Sequence, residues 1–380
     1  MSPIALWMVI ILVSGCSSLE SLNPFSSSTS KIKSAELTMI VPTAEMRPLW
    51  QSSIGSSREF SFTPAIIGNS VYAGASDGSV ARYDDGRQVW RISAGQVLSG
   101  GVGSDGKLVV LGTSKGEVLA FDAATGNPVW RTRVNSEILA APAVSDGLVV
   151  IRGGDSRIFG FEASDGKRRW VYQRSTPALS LRSYAGVAMS DRAILAGFPG
   201  GKLAAISVEN GAVLWEGTVA MPKGATELER VADITSLPVT QGREVCAVAY
   251  QGRVACFDMN NGNQLWSREV SSSTGLDMDE KSVYVSDEKG SVLAFDRSNG
   301  SSLWKQDKLF MRGLSRPLVL GRNVVVADSQ GIVHLLNQAD GSFAARFATD
   351  GSAIFADPQR FKDGFVIQTR DGGIFALSVK

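Results

Sequence analysis

The stretch that decides the fold is Ala120-Phe121-Asp122-Ala123-Ala124-Thr125-Gly126-Asn127-Pro128-Val129-Trp130. An apolar strand runs into a turn that contains a glycine, and a tryptophan stands four residues past that glycine. Variants of the stretch recur along the chain at a spacing of roughly 40 residues, which is typical of a repeat protein. The recurrence therefore indicates one repeat architecture and not a string of unrelated domains.

The repeats number eight when they are aligned on the apolar residue that precedes the turn: Tyr83, Phe121, Phe161, Ile206, Phe257, Phe295, Leu336 and Leu377. The seventh copy, near Asp340-Gly341, lacks the tryptophan, and the eighth reaches the last residue before any tryptophan. Trp50 stands near the N-terminus with no repeat ahead of it. We therefore expect the N-terminal strand near Trp50 to pair with the C-terminal strands and complete the eighth unit.

Each unit contains short β-branched runs, such as Leu108–Gly112 and Val324–Ala327, separated by glycine turns. Such runs predict antiparallel strands joined by tight turns. Four strands in each unit fit a propeller blade, and closure of the ring protects the sheet edges. The predicted fold is all-β: an eight-bladed β-propeller of four-stranded antiparallel blades over residues 46–380.

The tryptophans are expected to dock one blade on the next, because a large flat ring fills the gap between adjacent sheets. Burial of each ring contributes about 2–4 kcal/mol. The predicted docking residues are Trp50, Trp90, Trp130, Trp170, Trp215, Trp266 and Trp304.

The N-terminus has the pattern of a bacterial lipoprotein. An apolar stretch, too short to span a bilayer, ends in Val13-Ser14-Gly15-Cys16. We expect residues 1–15 to be a signal peptide, the Cys16 thiol to receive a diacylglycerol, and Ser-rich residues 16–45 to be a flexible tether. The alternative is an ordinary secretory signal with an incidental cysteine. The expected location is the outer membrane, lipid-anchored, on the periplasmic side.

The composition argues against several kinds of function. The formal net charge is +1 and no basic stripe stands out, so nucleic acid is not an expected partner. His334 is the only histidine and is interpreted as a solvated or partly buried strand residue. No Cys or His pair has metal-ligand spacing and no nucleophile–base set can be assembled. We expect no catalytic residue, no metal and no cofactor.

Cys246 and Cys256 lie on the two strands of one hairpin around Tyr250-Gln251-Gly252. A three-residue loop would set the two cysteines directly opposite each other. A cross-strand disulfide is possible in an oxidising compartment, and two free, small core residues are the alternative.

The motif from Ala120 to Trp130 resembles the tryptophan-docking motif of quinoprotein-type eight-bladed propellers. That superfamily includes alcohol dehydrogenases with pyrroloquinoline quinone and the BamB family of outer-membrane lipoproteins. The resemblance to the BamB family covers nearly all of the mature chain and includes the lipobox, the tether and the Trp-less seventh motif. It implies a non-enzymatic scaffold of the BAM complex that binds BamA and assists folding and insertion of β-barrel proteins, with unfolded barrel precursors as further partners.

Two spacings between repeats are longer than the others, and the extra residues fall at 175–182 and 221–235. Both segments are similar to the BamB surface that meets BamA. The resemblance assigns Leu179, Leu181, Arg182 and Asp233 to that contact, although Thr235 stands where the family has a second aspartate. Exposed apolar side chains beside an arginine are typical of interface centres. The alternative is a strand whose leucines face the core.

Two other functions are compatible with an eight-bladed propeller. A quinone-dependent dehydrogenase would need a central Ca²⁺-binding carboxylate set and cationic groups for the quinone, and such enzymes are typically longer. The adjacent cysteine pair common in quinoprotein alcohol dehydrogenases is absent from the sequence. A different periplasmic binding propeller is the remaining alternative, because a fold alone does not assign a function.

Overall fold

The protein is described by a computed structural model over residues 33–190 and 192–380. The signal peptide predicted for residues 1–15, the lipidation site Cys16 and the tether up to residue 32 lie outside the described residues.

Within the described ranges the chain forms strands that build eight blades. In chain order they are β1 (Met46–Ser53) and β2 (Ser61–Phe62); blade 1 with β3 (Ala65–Ile67), β4 (Ser70–Gly74), β5 (Ser79–Asp84) and β6 (Arg87–Ser93); blade 2 with β7 (Gly100–Ser104), β8 (Leu108–Gly112), β9 (Glu117–Asp122) and β10 (Pro128–Arg133); blade 3 with β11 (Ala143–Ser145), β12 (Leu148–Arg152), β13 (Ile158–Glu162) and β14 (Arg168–Tyr172); blade 4 with β15 (Ala188–Met189), β16 (Ala193–Phe198), β17 (Lys202–Ser207) and β18 (Val213–Thr218); blade 5 with β19 (Val239–Gln241), β20 (Glu244–Val248), β21 (Arg253–Asp258) and β22 (Gln264–Glu269); blade 6 with β23 (Gly275–Met278), β24 (Ser282–Ser286), β25 (Val292–Asp296) and β26 (Ser302–Gln306); blade 7 with β27 (Leu318–Leu320), β28 (Asn323–Ala327), β29 (Ile332–Asn337) and β30 (Phe343–Ala348); and blade 8 with β31 (Gln359–Phe361), β32 (Gly364–Gln368) and β33 (Gly373–Val379).

The predicted eight-bladed propeller is confirmed. Blades 1 to 7 each pair four consecutive strands in antiparallel order, with the first strand of the blade nearest the centre of the ring. Strand β1 completes blade 8 by antiparallel pairing with β33, from Met46 opposite Val379 to Ser53 opposite Gly373. The only departure among the described strands is β2, which adds to blade 2 through parallel pairing with β7. Within the described ranges no helix has the length and apolar character to cross a bilayer.

The hydrophobic core is divided among the blades. Each of its eight clusters lies between two neighbouring blades, as where Val150 of blade 3 packs in the same cluster as Ile194 of blade 4. Both faces of each blade are therefore buried, which explains the continuous apolar runs of the second and third strands.

Each tryptophan bridges two blades. Trp130 on β10 donates its indole N–H to the carbonyl of Ala163 in blade 3, at 2.7 Å. Its ring also lies against Gly166 of the same turn, where a Cβ would come within 2.7 Å of the ring. The same hydrogen bond to the next blade is made by Trp90, Trp170, Trp215, Trp266 and Trp304. Trp50 lies against Gly86 in the same way, but its buried indole N–H has no partner. The glycine of the turn is thus required both for its positive φ and for the space it leaves to the ring.

Blade 7 has no docking tryptophan, and the N-terminal segment packs against it instead. Ala345 stands at the tryptophan position of β30 and is buried in one cluster with Met46 of β1. Residues 34–45, which we call the strap, lie on this blade, and the N–H groups of Thr43 and Ala44 donate to the carbonyl of Ala344. The last part of the tether predicted for residues 16–45 is therefore in contact with the ring.

His334 is not solvated or partly buried: its side chain is fully buried, because Asp328 supplies it with a hydrogen-bond partner at 2.9 Å. Cys246 and Cys256 lie directly opposite each other in the β20–β21 pair and form a disulfide in the structure. In that hairpin Gln251, and not Gly252, takes the positive φ.

Candidate partner-binding site

Both insertions lie on one face of the ring. The segment 173–187 joins the outer strand β14 to the inner strand β15, and 219–238 joins β18 to β19 in the same way. All inner strands run in the same direction, so every connection between blades emerges at the same end of the strands. We call this end the insertion face; the turns that hold the docking glycines lie on the opposite face.

The first insertion presents the predicted contact residues to solvent. Leu179 is 43% exposed and Leu181 is 37% exposed. Arg182 is exposed over about half of its side chain and makes two hydrogen bonds to the carboxylate of Glu137, at 3.1 and 2.8 Å. The hydrogen bond to Glu137 raises the pKa of Arg182, so the side chain stays charged. The alternative in which both leucines face the core does not apply.

Asp233 occupies a different position from the one expected. It is only 2% exposed. One carboxylate oxygen accepts the N–H of Leu181 at 2.7 Å, and the other accepts the N–H of Gly200 at 3.0 Å. The second insertion therefore supports the first through the buried carboxylate of Asp233.

A second tie joins the two insertions. The hydroxyl of Ser183 donates to the carbonyl of Thr235 at 3.2 Å. Thr235 donates its own hydroxyl to Ser273 at 2.9 Å. Thr235 thus takes part in the same support.

Buried Arg152 lies under the first insertion. Together with Leu181 and Asp233 it lines a small cavity of about 20 Å³, the size of one water molecule. Burial lowers the pKa of Arg152 to about 10, while the negative charge of Asp233 acts in the opposite direction. The carboxylate of Asp233 therefore also compensates a cation that has lost most of its hydration.

The first insertion also reaches across the centre of the ring. A central cavity of about 890 Å³ opens on the insertion face, and Leu181, Arg182 and Tyr184 line it. The hydroxyl of Tyr184 donates to the carbonyl of Glu59 at 2.7 Å, which ties the segment to the connection before blade 1. The loop is consequently held at both sides of the cavity.

Part of the cavity wall carries charges that are paired with each other. Arg316 lies 3.6 Å from the carboxylate of Asp357 and 3.9 Å from that of Asp277. Burial raises the pKa of Asp357, and Arg316 lowers it by a smaller amount. Among residues 33–190 and 192–380, no group of three or more His, Cys, Asp or Glu side chains has an arrangement that could hold a metal ion.

The exposed part of the second insertion adds apolar surface that the sequence analysis did not single out. Met221 is 71% exposed and Leu228 is 70% exposed. Thr226 and Glu229 hold this part through reciprocal side-chain to backbone bonds, a capping box. The Thr-x-x-Glu spacing in the sequence was the signal that could have predicted this capping box. Chemically, the insertion face offers apolar anchors beside a cation on a fixed support, which suits the binding of another protein.

The fold and this face define a class: eight-bladed β-propellers with exposed apolar side chains beside a cation at one end. The family model described as outer membrane protein assembly factor BamB matches residues 76–306. A curated BamB of Nitrosomonas eutropha is 47% identical over 98% of this chain and 93% of its own length, and that of Escherichia coli is 30% identical over 97% and 96%. The chain therefore belongs to the BamB family.

Solved structures agree with that assignment. The crystal structure of BamB from Moraxella catarrhalis superposes with a TM-score of 0.83 at 29% identity, over 88% of this chain and all of that one. A quinohemoprotein alcohol dehydrogenase from Comamonas testosteroni superposes with a TM-score of 0.71 at 14% identity, over 87% of this chain and 76% of that one, and shares the fold alone.

Proposed function

We propose that this protein is a non-enzymatic scaffold lipoprotein of the BAM complex, which binds BamA and assists the folding and insertion of outer-membrane β-barrel proteins. Its relatives are named outer membrane protein assembly factors, which supports a role in the assembly of outer-membrane proteins. Contact with BamA is supported best by the exposure of Leu179, Leu181 and Arg182. They lie on a loop whose backbone is held by Asp233.

The binding surface in this proposal is the insertion face. The two leucines enter an apolar pocket of BamA, and Arg182 exchanges Glu137 for a carboxylate of the partner. An arginine already oriented by a carboxylate loses less rotamer freedom on binding than a mobile one. Asp233 contributes by holding the loop, so its effect on binding is indirect.

The lipid anchor is a second part of the proposal. Acylation of Cys16 would keep the ring at the periplasmic side of the outer membrane, joined by a polar tether. Mass spectrometry of the protein purified from membranes tests this directly. The expected N-terminal peptide begins at an acylated Cys16; an unmodified peptide that begins elsewhere would contradict it.

Unfolded barrel precursors are proposed as partners at the rim of the ring. The outer strands expose an apolar residue directly before the tryptophan, and these residues are between 40% and 53% exposed: Leu49, Val89, Val129, Leu214, Leu265 and Leu303. An outer strand also has an unpaired edge that an extended segment can join. Neither contact involves a reacting group or a cofactor.

The experiment that tests the BamA contact is co-purification from detergent-solubilised outer membrane with an Arg182→Glu variant. Reversal of the charge is expected to weaken binding by about 2 kcal/mol, roughly 30-fold, as for a central arginine of an interface. The exposed pair with Glu137 contributes at most about 1 kcal/mol to folding, so the variant should remain folded.

The matched control is Arg243→Glu. Arg243 is exposed, pairs with Asp258 at 3.4 Å, and lies in the β19–β20 turn on the opposite face of the ring. Its reversal is expected to leave BamA recovery at the wild-type level. Unchanged recovery of BamA with Arg182→Glu would refute the proposed surface.

A further inference from the structure

A buried charge network lies inside blade 7, directly beneath the strap. Asp328 is fully buried and accepts hydrogen bonds from Arg312 at 2.6 Å and from His334 at 2.9 Å through the same carboxylate oxygen. The other ring nitrogen of His334 accepts a hydrogen bond from Nε of Arg346 at 3.3 Å. The network therefore runs Arg312–Asp328–His334–Arg346.

Both ends of the network hold the strap by its backbone. Arg312 donates to the carbonyl of Ala35 at 3.1 Å, and Arg346 donates to the carbonyl of Thr38. The N–H of Ala35 donates to the carbonyl of Phe310 at 2.8 Å.

Some side chains of the strap face solvent. Met39 is fully exposed and Val41 is 85% exposed. The main chain of the strap makes several hydrogen bonds to blade 7, and two of them come from the buried network. The hydroxyl of Ser34 also accepts a hydrogen bond from the side-chain amide of Gln330 at 3.0 Å.

The geometry fixes the protonation state of His334. Arg346 is an obligate donor, so Nδ1 of the imidazole must be unprotonated, and the single ring proton is on Nε2, facing Asp328. A proton added at Nδ1 would face the N–H of Arg346, and that hydrogen bond would be lost.

We propose that His334 is an acid-sensitive latch for the strap: protonation of its imidazole displaces Arg346 from Thr38 and releases residues 34–45 from blade 7. The charged groups that act on the ring are Asp328 from the β28–β29 turn, Arg312 from the β26–β27 connection and Arg346 from β30. Two of the three are cations, so protonation of the ring places a third positive charge beside Arg312 and Arg346.

The sign of the pH effect follows from the burial. Desolvation lowers the pKa of His334 below its ordinary value of 6.5, although Asp328 acts in the opposite direction. Where the docked strap supplies part of that desolvation, docking is favoured at pH values above the undocked-state pKa of His334, and that contribution is lost as the pH falls through the docked-state pKa. Each unit by which docking lowers the pKa multiplies the undocked population by about ten at low pH.

Release would lengthen the tether. The strap, residues 34–45, is twelve residues long, and an extended chain spans at most about 3.3–3.6 Å per residue, so the reach of the ring from its anchor grows by at most about 40 Å. This consequence depends on the lipid anchor proposed above, whereas the latch itself does not.

The test is hydrogen exchange of the full-length protein in detergent between pH 7.5 and 5.0, corrected for the intrinsic pH dependence of exchange. The amides of Ala35, Thr43 and Ala44 are expected to exchange at least tenfold faster at pH 5.0, while the β1 amides paired with β33 keep their protection. A His334→Gln variant, which can donate to Asp328 and accept from Arg346 but cannot be protonated, should lose this pH dependence.

A second measurement keeps the proposal testable if His334→Gln fails to fold. His334 is the only histidine of the chain, so imidazole NMR of the protein without a histidine tag reports this residue alone. The imidazole resonances and strap exchange should change over the same pH range. Strap protection that is independent of pH while His334 titrates, or that persists in wild type at pH 5.0, would overturn the latch.

Discussion

Replacement of Asp233 by asparagine separates support of the loop from direct contact with a partner. The carboxylate accepts the N–H groups of Leu181 and Gly200 through its two oxygens. Asparagine keeps one oxygen and places an NH₂ group where the second oxygen was, so a donor faces a donor. It also removes the negative charge that acts on buried Arg152.

The expected cost follows from these contacts. A hydrogen bond to a charged group contributes about 1.5–3 kcal/mol, and a buried donor left without an acceptor costs a further 1–3 kcal/mol. Since some relaxation of the loop is possible, we expect Asp233→Asn to lower the free energy of unfolding by about 2–4 kcal/mol. Asp371→Asn, an exposed aspartate of the same face, should change it by less than about 0.5 kcal/mol.

Urea denaturation measures the free energy of unfolding, and hydrogen exchange at Leu181 reports the loop. For Asp233→Asn we expect lower stability, faster exchange at Leu181 and weaker recovery of BamA together. The contrary result would be an Asp233→Asn protein with wild-type stability and wild-type exchange at Leu181 that no longer recovers BamA. Asp233 would then have to contact the partner itself.

Two further predictions concern the ring. Gly166→Ala should lower the free energy of unfolding, measured by urea denaturation, by about 3 kcal/mol, because its φ is +71° and the new Cβ would lie 2.7 Å from Trp130. The control Gly147→Ala, at φ +76° with open space around it, should lower it by only about 1–2 kcal/mol, and equal costs would contradict the docking role of the tryptophan. Joint replacement of Cys246 and Cys256 by alanine should lower the free energy of unfolding by about 2–3 kcal/mol, as expected for a short closed loop, and an unchanged unfolding midpoint under reducing conditions would argue against the disulfide.

The fold was accessible from the sequence because its determinants are local and repeated. A glycine that needs positive φ, an aspartate that bonds the turn, and a tryptophan four residues later recur often enough to give the number of blades. The position of Trp50 predicted closure because it was the one copy without a repeat ahead of it.

The candidate site was only partly accessible. Leu179, Leu181 and Arg182 are exposed as the resemblance implied. The inward orientation of the Asp233 side chain was not predictable from the sequence, because it is set by a hydrogen bond from the N–H of Leu181, 52 residues away in the chain.

Blade 7 shows a similar limit. The burial of His334 depends on Asp328, which in turn depends on Arg312 from another connection. The strap leaves no periodic signal, because it is bound through its backbone while side chains such as Met39 face solvent.

Site-specific photo-crosslinking tests the central claim, that the insertion face binds BamA. A photoreactive amino acid replaces Leu181 in one variant and Leu303, which is 50% exposed on the rim at β26, in the other. We expect a covalent product with BamA from position 181 and none with BamA from position 303. A BamA product from position 303, or none from 181 in a protein that still co-purifies with BamA, would contradict it.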